Sequence, residues 1–294
     1  MLMPSVSVVV PALNEARNIP YVFSRIPADV YEVILVDGFS VDGTVEIASQ
    51  VRPDVRVVAQ TRKGKGNALA CGFAAATGDI IAAVDADGSA DPGEIPRFVA
   101  ALLDGAHFAK GTRFVEGGGS SDITRLRSFG NYALTNFFNV CYGRNYSDLC
   151  YGFNVFWRRY VPVLGLDATS PLQPDGDGGL WGDGFEVETL IHVRVAKAGL
   201  VVAEVPSFEH ARIHGVSNLN AFRDGRRVLH TILAERGRPQ SPAVLDVAEP
   251  SISPQQPPVA QAPGEISSSP AFTGSEQEPV EVLMSGGDSA DRTV

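Results

Sequence analysis

Two aspartates one residue apart, Asp85 and Asp87, follow the apolar run of residues 80–84. Side chains alternate along a strand, so both carboxylates point the same way and converge where the strand gives way to a turn. Adjacent carboxylates repel each other unless a cation lies between them, and hard oxygen ligands suit Mg²⁺ or Mn²⁺. The pair therefore predicts a metal site that holds a diphosphate, with a plain Asp-Gly turn as the alternative.

The elements around this pair alternate between strands and helices. Strands are predicted at residues 6–10, 32–36, 55–59 and 80–84. The clearest helix follows them: Asp91 is a cap, Pro92 fits the first helical position, and apolar residues recur with helical spacing from Ile95 to Leu103. This alternation predicts an α/β fold with a mainly parallel sheet covered by helices on both faces.

Several polar residues follow these strands at the same edge of the predicted sheet. Asn14 and Glu15 come after the first strand, Asp37 ends the second, and Asp85 and Asp87 follow the fourth. Ligands of such sheets bind at the carboxyl ends of the strands. We therefore expect these side chains to share one rim, which favours a metal site over a plain turn.

The second half of the chain changes character near residue 237. Glycine-rich loops are predicted at 116–121 and 175–184, helices at 126–142, 186–198 and 218–236, and a strand at 200–205. Residues 238–294 hold nine of the 20 prolines and eight acidic residues against two arginines. Such a segment buries too little apolar surface to offset its ordering entropy. The sequence thus predicts one folded domain, residues 1–237, and a disordered acidic tail, residues 238–294.

The charge and cysteine content exclude several classes of protein. The formal net charge is -10, of which the tail carries -6, and this mild acidity argues against binding to nucleic acid. Cys71, Cys141 and Cys150 lack metal-ligand spacing, as expected of reduced cytoplasmic thiols. No signal peptide or membrane-spanning apolar run is found, so we expect any place on the inner face of a membrane to be peripheral.

Several segments together resemble the family 2 glycosyltransferases of the GT-A (Rossmann-like) fold, closest to the dolichyl- or polyprenyl-phosphate sugar synthase branch. The resemblance covers roughly residues 5–235 and excludes the tail. The matching segments are residues 10–15, 37–44, 63–68, 85–87, 91–96, 111–114, 152–153, 204–206 and 212–217. Their order and spacing make the resemblance specific.

The resemblance implies that a nucleotide-sugar donor is held at the predicted rim. The turn with Pro11, Asn14 and Glu15, together with Asp37, would bind the nucleoside, as carboxylates that accept from base or ribose groups can. For Glu15, a first-turn charge favoured by the helix dipole is an equal alternative. Lys65 lies in a glycine-rich turn that opens a helix, a setting that attracts phosphate.

The resemblance also implies how the diphosphate is held. Asp85 and Asp87 would bind a Mg²⁺ or Mn²⁺ ion that acts as a Lewis acid toward the leaving nucleotide, with Asp87 counted as catalytic. Arg113, also catalytic, and Arg212 would clamp phosphate oxygens, and Ser217 would contact the donor. A surface ion pair is the alternative for both arginines.

Two positions depart from the family pattern. Ser89 replaces a frequent Gln, which leaves the third metal ligand open, and Asn218 replaces the usual Lys, which leaves the acceptor assignment open.

The expected reaction is an inverting transfer of the sugar to an acceptor, with polyprenyl phosphate preferred. A lipid phosphate is already an anionic nucleophile, whereas a hydroxyl acceptor needs a carboxylate to take its proton. Asp183 and Glu186 are the candidates for that carboxylate, and Asp183 is favoured as lying near the acceptor. Their alternatives are a helix cap and an exposed helix charge.

Two further classes of protein are weaker alternatives. A nucleotidyltransferase of similar fold would usually carry its glycine-rich loop directly after the first strand, where this chain has residues 11–15. The intact aspartate pair argues against a non-catalytic binding module. The sequence does not indicate the sugar, the base or the oligomeric state.

Overall fold

The computed structural model describes residues 3–169, 181–215 and 221–239. These residues lie in the first of two units into which the chain divides, residues 1–249. The predicted tail lies outside the described residues except for Arg238 and Pro239, so the domain boundary at 237 stays a prediction. None of the described helices combines the length and the hydropathy that crossing a membrane requires.

A seven-stranded sheet forms the centre of the described unit. The strands of both sheets among the described residues are β1 (Val6–Ala12), β2 (Glu32–Asp37), β3 (Arg56–Ala59), β4 (Ile80–Ala83), β5 (Phe108–Thr112), β6 (Gly119–Ser120), β7 (Asn154–Trp157), β8 (Val202–Pro206) and β9 (Phe208–Glu209). The order in the sheet is β3-β2-β1-β4-β7-β5-β8, and β6 pairs with β9 in a small second sheet. The four strands predicted in the first third of the chain are confirmed, whereas β5 and β7 were not predicted.

The sheet is mainly parallel, as predicted. Strands β1 to β4 run in one direction, β7 is antiparallel to both of its neighbours, and β5 is again parallel to β8. Because β7 is antiparallel to both β4 and β5, those two strands point the same way. The carboxyl ends of β1 to β5 therefore meet at one edge of the sheet, whereas β7, which lies between β4 and β5, ends at the opposite edge.

Helices cover the sheet. They are α1 (Ile19–Arg25), α2 (Thr44–Val51), α3 (Lys65–Ala75), α4 (Ile95–Leu103), α5 (Arg125–Tyr142), α6 (Val161–Leu164), α7 (Val187–Lys197) and α8 (Ala221–Arg236). Alternate residues of the central strands enter two separate apolar clusters, with Val8 and Leu35 in one and Val9 and Ile34 in the other. Both faces of the sheet are thus buried, as the parallel pattern requires.

The predicted cap before α4 is confirmed with one difference. The Asp91 side chain accepts from the Gly93 N–H, and residues Pro92–Glu94 form a 3₁₀ turn before α4 begins at Ile95. Glu94 stands three residues after Asp91, where a capping-box glutamate would reach back to the cap, but its carboxylate pairs with Arg97 and accepts from Ser207 instead.

His192, on α7, is a buried histidine without hydrogen bonds among the described residues. Its ring lies edge-on to Phe108 and Tyr146, with centroids 5.9 Å apart in both pairs. Neither ring nitrogen has a partner in the described part of the chain. Burial, reinforced by the charge of Lys110, lowers the pKa of His192 well below the ordinary value of about 6.5.

We expect His192 to make the fold sensitive to mild acid. The folded state keeps this ring neutral while the unfolded chain binds a proton, so the free energy of unfolding falls by about 1.4 kcal/mol for each pH unit below about 6.5. Urea denaturation at pH 7.5 and pH 5.5 measures this slope. His192→Phe keeps an aromatic ring and should remove that part of the slope, while His230→Phe, at an exposed position on α8, should keep it. An unchanged slope in His192→Phe would show that other groups cause it.

Candidate active site

One cavity of about 480 Å³ opens at the edge where the parallel strands end. The residues that line it and follow these strands include Glu15, Gly38, Gln60, Asp85, Asp87 and Arg113. They come from the five loops that follow β1 to β5, with Asp85 and Asp87 in the same loop after β4. The structure thus brings Glu15 and the aspartate pair together, as the rim prediction requires.

Lys65 lies between two carboxylates in this cavity. As the first residue of α3, it places its Nζ 2.8 Å from Asp85 Oδ1 and 2.5 Å from Glu188 Oε1. Burial alone would lower the pKa of Lys65, but Asp85 and Glu188 outweigh it, and the net shift is upward. Lys65 therefore stays protonated, with its charge directed at Asp85.

Arg212 plays the matching part for Asp87. Its Nη2 lies 2.8 Å from Asp87 Oδ2, and its Nη1 lies 2.9 Å from Glu15 Oε1. Burial raises the pKa of Glu15, against the opposing effects of Asn18 and Arg212. Glu15 thus holds the arginine that contacts Asp87, which neither of the two predicted roles for Glu15 had included.

Two ion-pair chains therefore share the cavity: Glu188–Lys65–Asp85 and Asp87–Arg212–Glu15. Four carboxylates face two cations, so the fully ionised chains carry a formal charge of about -2. A diphosphate would be repelled by that charge, whereas a divalent cation would offset it. Electrostatically, the site is suited to a metal ion.

The donor set also fits a divalent ion held jointly with a ligand. The described residues contain no cluster of three or more candidate His, Cys, Asp or Glu ligands. Mg²⁺, however, is commonly bound by one or two carboxylates plus water and substrate phosphates. Asp85 and Asp87 supply the two carboxylates, and the Ser89 N–H donates to Asp87 Oδ1 at 2.9 Å, which fixes that side chain.

Asp183 was expected near the acceptor, and the structure corrects this. Its carboxylate lies outside the lining of the cavity and forms a bidentate ion pair with Arg62, at 2.8 Å to Nε and 2.9 Å to Nη2. Both side chains are almost fully buried. The Asp183 carbonyl also accepts from the Gly66 N–H at the start of α3. Asp183 therefore fixes the segment before α7 rather than facing a substrate.

Arg113 lines the cavity, but its guanidinium is already engaged. Nε and Nη2 donate to the two oxygens of the fully buried Asp148, and Nη1 donates to Glu209 at 3.0 Å. Burial alone would lower the pKa of Arg113, but the two carboxylates outweigh it, and the net shift is upward. The role of Arg113 as a phosphate clamp stays a prediction, and a phosphate bound there would compete with these buried ion pairs.

Of the remaining predicted residues, one lines the cavity and two stabilise the loops beside it. Pro11 lines the cavity beside Glu15. Asn14 has a left-handed φ of 57° and its Oδ1 accepts from the Val41 N–H, whereas Asp37 accepts from the N–H groups of Phe39 and Ser40. Neither side chain is in the lining, so both shape the loops instead of facing the cavity. Ser217 lies outside the described residues.

Glu188 and Gln60 are polar lining residues that were not predicted. Glu188 lies in the first turn of α7, where acidic residues are common for reasons of helix stability, so its type and position gave no distinct signal. Glu186, the second candidate proton acceptor beside Asp183, accepts from the Gly184 N–H of its own turn. Gln60 follows β3 at the far end of the rim, and a lone glutamine after a strand carries no recognised signature.

A second cavity of about 710 Å³ lies along the first half of α5. Its lining includes Phe114, Arg125, Phe129, Asn131, Tyr132 and Tyr146. Phe129 and Tyr132 are 70% and 67% exposed, so this part of α5 turns aromatic rings outward. The Asn131 Nδ2 and the Tyr146 hydroxyl are buried and have no hydrogen-bond partner among the described residues. Buried polar groups are seldom left unpaired, so these two atoms are suited to pair with water or with a bound molecule.

Comparison with known proteins agrees with this arrangement. The family model described as glycosyl transferase family 2 matches residues 7–164. An uncharacterized glycosyltransferase of Mycobacterium tuberculosis is 43% identical over 109 residues, 37% of this chain and 49% of that protein. The chain thus matches about half the length of that relative.

Two further relatives cover more of the chain. The undecaprenyl-phosphate mannosyltransferase of Micrococcus luteus is 28% identical over 231 residues, which is 76% of this chain and 90% of that protein. The glucosyl-3-phosphoglycerate synthase of M. tuberculosis, solved with Mn²⁺, uridine-diphosphate-glucose and phosphoglyceric acid, is 26% identical with a TM-score of 0.61. That match covers 81% of this chain and 82% of the synthase.

Proposed function

Because the chain belongs to glycosyl transferase family 2, we propose that it is an inverting, metal-dependent glycosyltransferase that moves a sugar from a nucleotide-sugar donor to polyprenyl phosphate. One observation carries the donor half of the proposal. The ion-pair chains of the first cavity leave a formal charge of about -2 beside Asp85 and Asp87, which suits a metal ion with a diphosphate.

The residues of the first cavity have separate roles in this reaction. Asp85 and Asp87 would hold a Mg²⁺ or Mn²⁺ ion, which supplies Lewis-acid stabilisation of the leaving diphosphate. Lys65 and Arg212 donate to the same aspartates and would be shared between these carboxylates and the phosphate oxygens. Transfer would be a direct displacement, in which positioning and charge stabilisation are the main contributions.

The second cavity supports the acceptor half. It adjoins the first, since Arg113 and Arg127 line the first while Phe114 and Ser128 line the second. Arg125 and the unpaired donor of Asn131 suit a phosphate, and the outward rings of Phe129 and Tyr132 suit an apolar chain. A lipid phosphate combines both groups, and the Micrococcus relative is named for an undecaprenyl phosphate.

The exposed side chains of helix α8 support a peripheral position on a membrane. On α8, Phe222 and Leu233 are exposed beside Arg223, Arg226 and Arg227. This mixture of apolar and basic side chains favours contact with an anionic lipid surface, although the whole chain is acidic. The proposal therefore places the protein in the cytoplasm, bound to the inner face of the membrane.

A soluble hydroxyl acceptor is the second candidate. The solved structures of the phosphoglycerate synthase contain phosphoglyceric acid, which is not a lipid. Such an acceptor needs a proton acceptor, and burial raises the pKa of Glu188 despite the opposing charge of Lys65. Glu188 lines the first cavity and is the carboxylate that would take this part.

A transfer assay separates the two acceptors. The protein is incubated with Mn²⁺, a panel of radiolabelled nucleotide sugars and polyprenyl phosphate, and label is followed into the lipid phase. The proposal expects label in the lipid with one donor. Label that appears only in a water-soluble product, or in none, would overturn the lipid acceptor.

Glu188→Gln should lower the rate of transfer to polyprenyl phosphate by less than about tenfold, because the phosphate needs no base. If the acceptor were a hydroxyl, the same substitution should remove about 10²–10⁴-fold of the rate. Initial rates at saturating substrate distinguish the two cases. Glu46→Gln is the matched control, since that carboxylate is exposed on α2 and outside the cavity lining.

A further inference from the structure

Glu235, near the end of α8, holds Trp181 in the segment that leads into α7. Its carboxylate is almost fully buried and accepts from Trp181 Nε1 at 3.0 Å and from Arg194 Nε at 3.3 Å. The guanidinium of Arg238 lies over the Trp181 ring, 4.8 Å from the ring centroid. A buried carboxylate whose oxygens are already engaged has little freedom to move. Trp181 is therefore fixed against α8.

The two residues after Trp181 lie directly on the first turn of α3. The Gly66 N–H donates to the Asp183 carbonyl at 2.8 Å. A Cβ on Gly66 would overlap the Gly182 carbonyl oxygen. A Cβ on Gly64 would overlap the Asp183 carbonyl oxygen. Because neither glycine carries a side chain, the two stretches of backbone are in direct contact, and a displacement of residues 182–183 would displace the start of α3.

Lys65 lies between these two glycines and reaches into the first cavity. Its Nζ is held between Asp85 and Glu188. Hydrogen bonds of this kind weaken steeply with poor geometry, and a misplacement of about 1 Å is enough to impair a site of this type. One continuous series of contacts thus runs from Glu235 through Trp181 and residues 182–183 to Lys65.

We propose that Glu235 is a positioning residue of the donor site, which acts through Trp181 to hold residues 182–183 against α3 and so fixes Lys65 for the diphosphate; this rests on the proposed function. Neither Glu235 nor Trp181 lines the first cavity, so both act only through their neighbours. Arg62 also holds Asp183. Loss of the contact between Glu235 and Trp181 should therefore weaken the site without abolishing it.

Trp181→Phe tests this assignment, because it removes the indole N–H and keeps an aromatic ring. The full chain is titrated by calorimetry with Mn²⁺ and inorganic pyrophosphate, and the affinity should fall by about three- to tenfold. Trp157→Phe is the matched control, since Trp157 Nε1 also donates one hydrogen bond, to the Ala106 carbonyl at 3.2 Å, outside the cavity lining. The control should leave the affinity unchanged. No loss in Trp181→Phe, or an equal loss in both folded variants, would overturn the assignment.

Hydrogen exchange of the Gly66 amide reports on the position of the segment itself. Because this N–H donates to the Asp183 carbonyl, it should exchange about three- to tenfold faster in Trp181→Phe and at the wild-type rate in Trp157→Phe. An unchanged rate in Trp181→Phe, or a faster rate without weaker pyrophosphate binding, would overturn the assignment. If the wild-type protein bound no pyrophosphate with Mn²⁺, the proposed function itself would fail, which is a separate outcome.

A pair of variants at Glu235 gives a second test if Trp181→Phe fails to fold. Glu235→Gln and Glu235→Met both remove the charge that pairs with Arg194, but only the former keeps an oxygen that can accept from the indole N–H. Glu235→Gln should therefore bind pyrophosphate about three- to tenfold more tightly than Glu235→Met. Equal affinities of the two variants would contradict the positioning role.

Discussion

Asp87→Asn should reduce sugar transfer by roughly a hundred- to thousandfold at saturating metal and donor. The amide keeps the size of the side chain but removes a negative charge from the metal site, and it weakens the contact that positions Arg212. The variant should be as stable as the wild-type protein, because the carboxylates of the ion-pair chains repel one another. Initial rates and calorimetric titration of the donor with Mn²⁺ measure the two losses.

The matched control for this experiment is Asp104→Asn. Asp104 is an exposed aspartate in the turn after α4, remote from the cavity lining, and its substitution should leave transfer unchanged. If Asp87→Asn kept a rate within about threefold of wild type, Asp87 would not hold a catalytic metal. The aspartate pair would then be a turn with a structural ion pair.

Asp183→Asn should lower the free energy of unfolding by about 3–5 kcal/mol. The substitution removes the full negative charge of the carboxylate that pairs with the buried guanidinium of Arg62, and breaking a buried ion pair in this way is strongly destabilising. It also loosens the segment that leads into α7 and Glu188. Urea denaturation followed by circular dichroism measures the loss.

The activity of Asp183→Asn shows whether this side chain takes part in the reaction or only stabilises the fold. Below its unfolding transition, the folded fraction of Asp183→Asn should transfer sugar within about threefold of wild type, since the side chain lies outside the cavity lining. A loss above about a hundredfold in a fully folded variant would restore Asp183 as a proton acceptor. Asp29→Asn, at an exposed site, is the control for stability.

The parts of this fold that depend on local pattern were predictable. The apolar runs at β1, β2 and β4 and the cap at Asp91 are short-range signals, and the rim followed from the rule that parallel strands share one carboxyl edge. Strand β7 was not predictable in this way, because its reversed direction depends on pairing with β4 and β5, more than forty residues away in each case.

The ion-pair partners of the charged residues were the main feature that the sequence did not predict. Arg113 and Arg212 both stand in segments that resemble phosphate-binding motifs, yet Asp148 occupies the first and Asp87 the second. Arg62 and Asp183 are 121 residues apart in sequence. Which carboxylate meets which cation is decided by the tertiary fold, and residue type alone gives no information about that choice.

Arg62 also brings together the two ends of a length of chain. Its Nη2 donates to the Asp167 carbonyl at 2.6 Å while its other donors hold Asp183, and the neighbouring Thr61 hydroxyl donates to the Ala168 carbonyl. Arg62 therefore ties residue 167 to residue 183, and its loss would release both positions at once, together with the start of the segment that leads into α7.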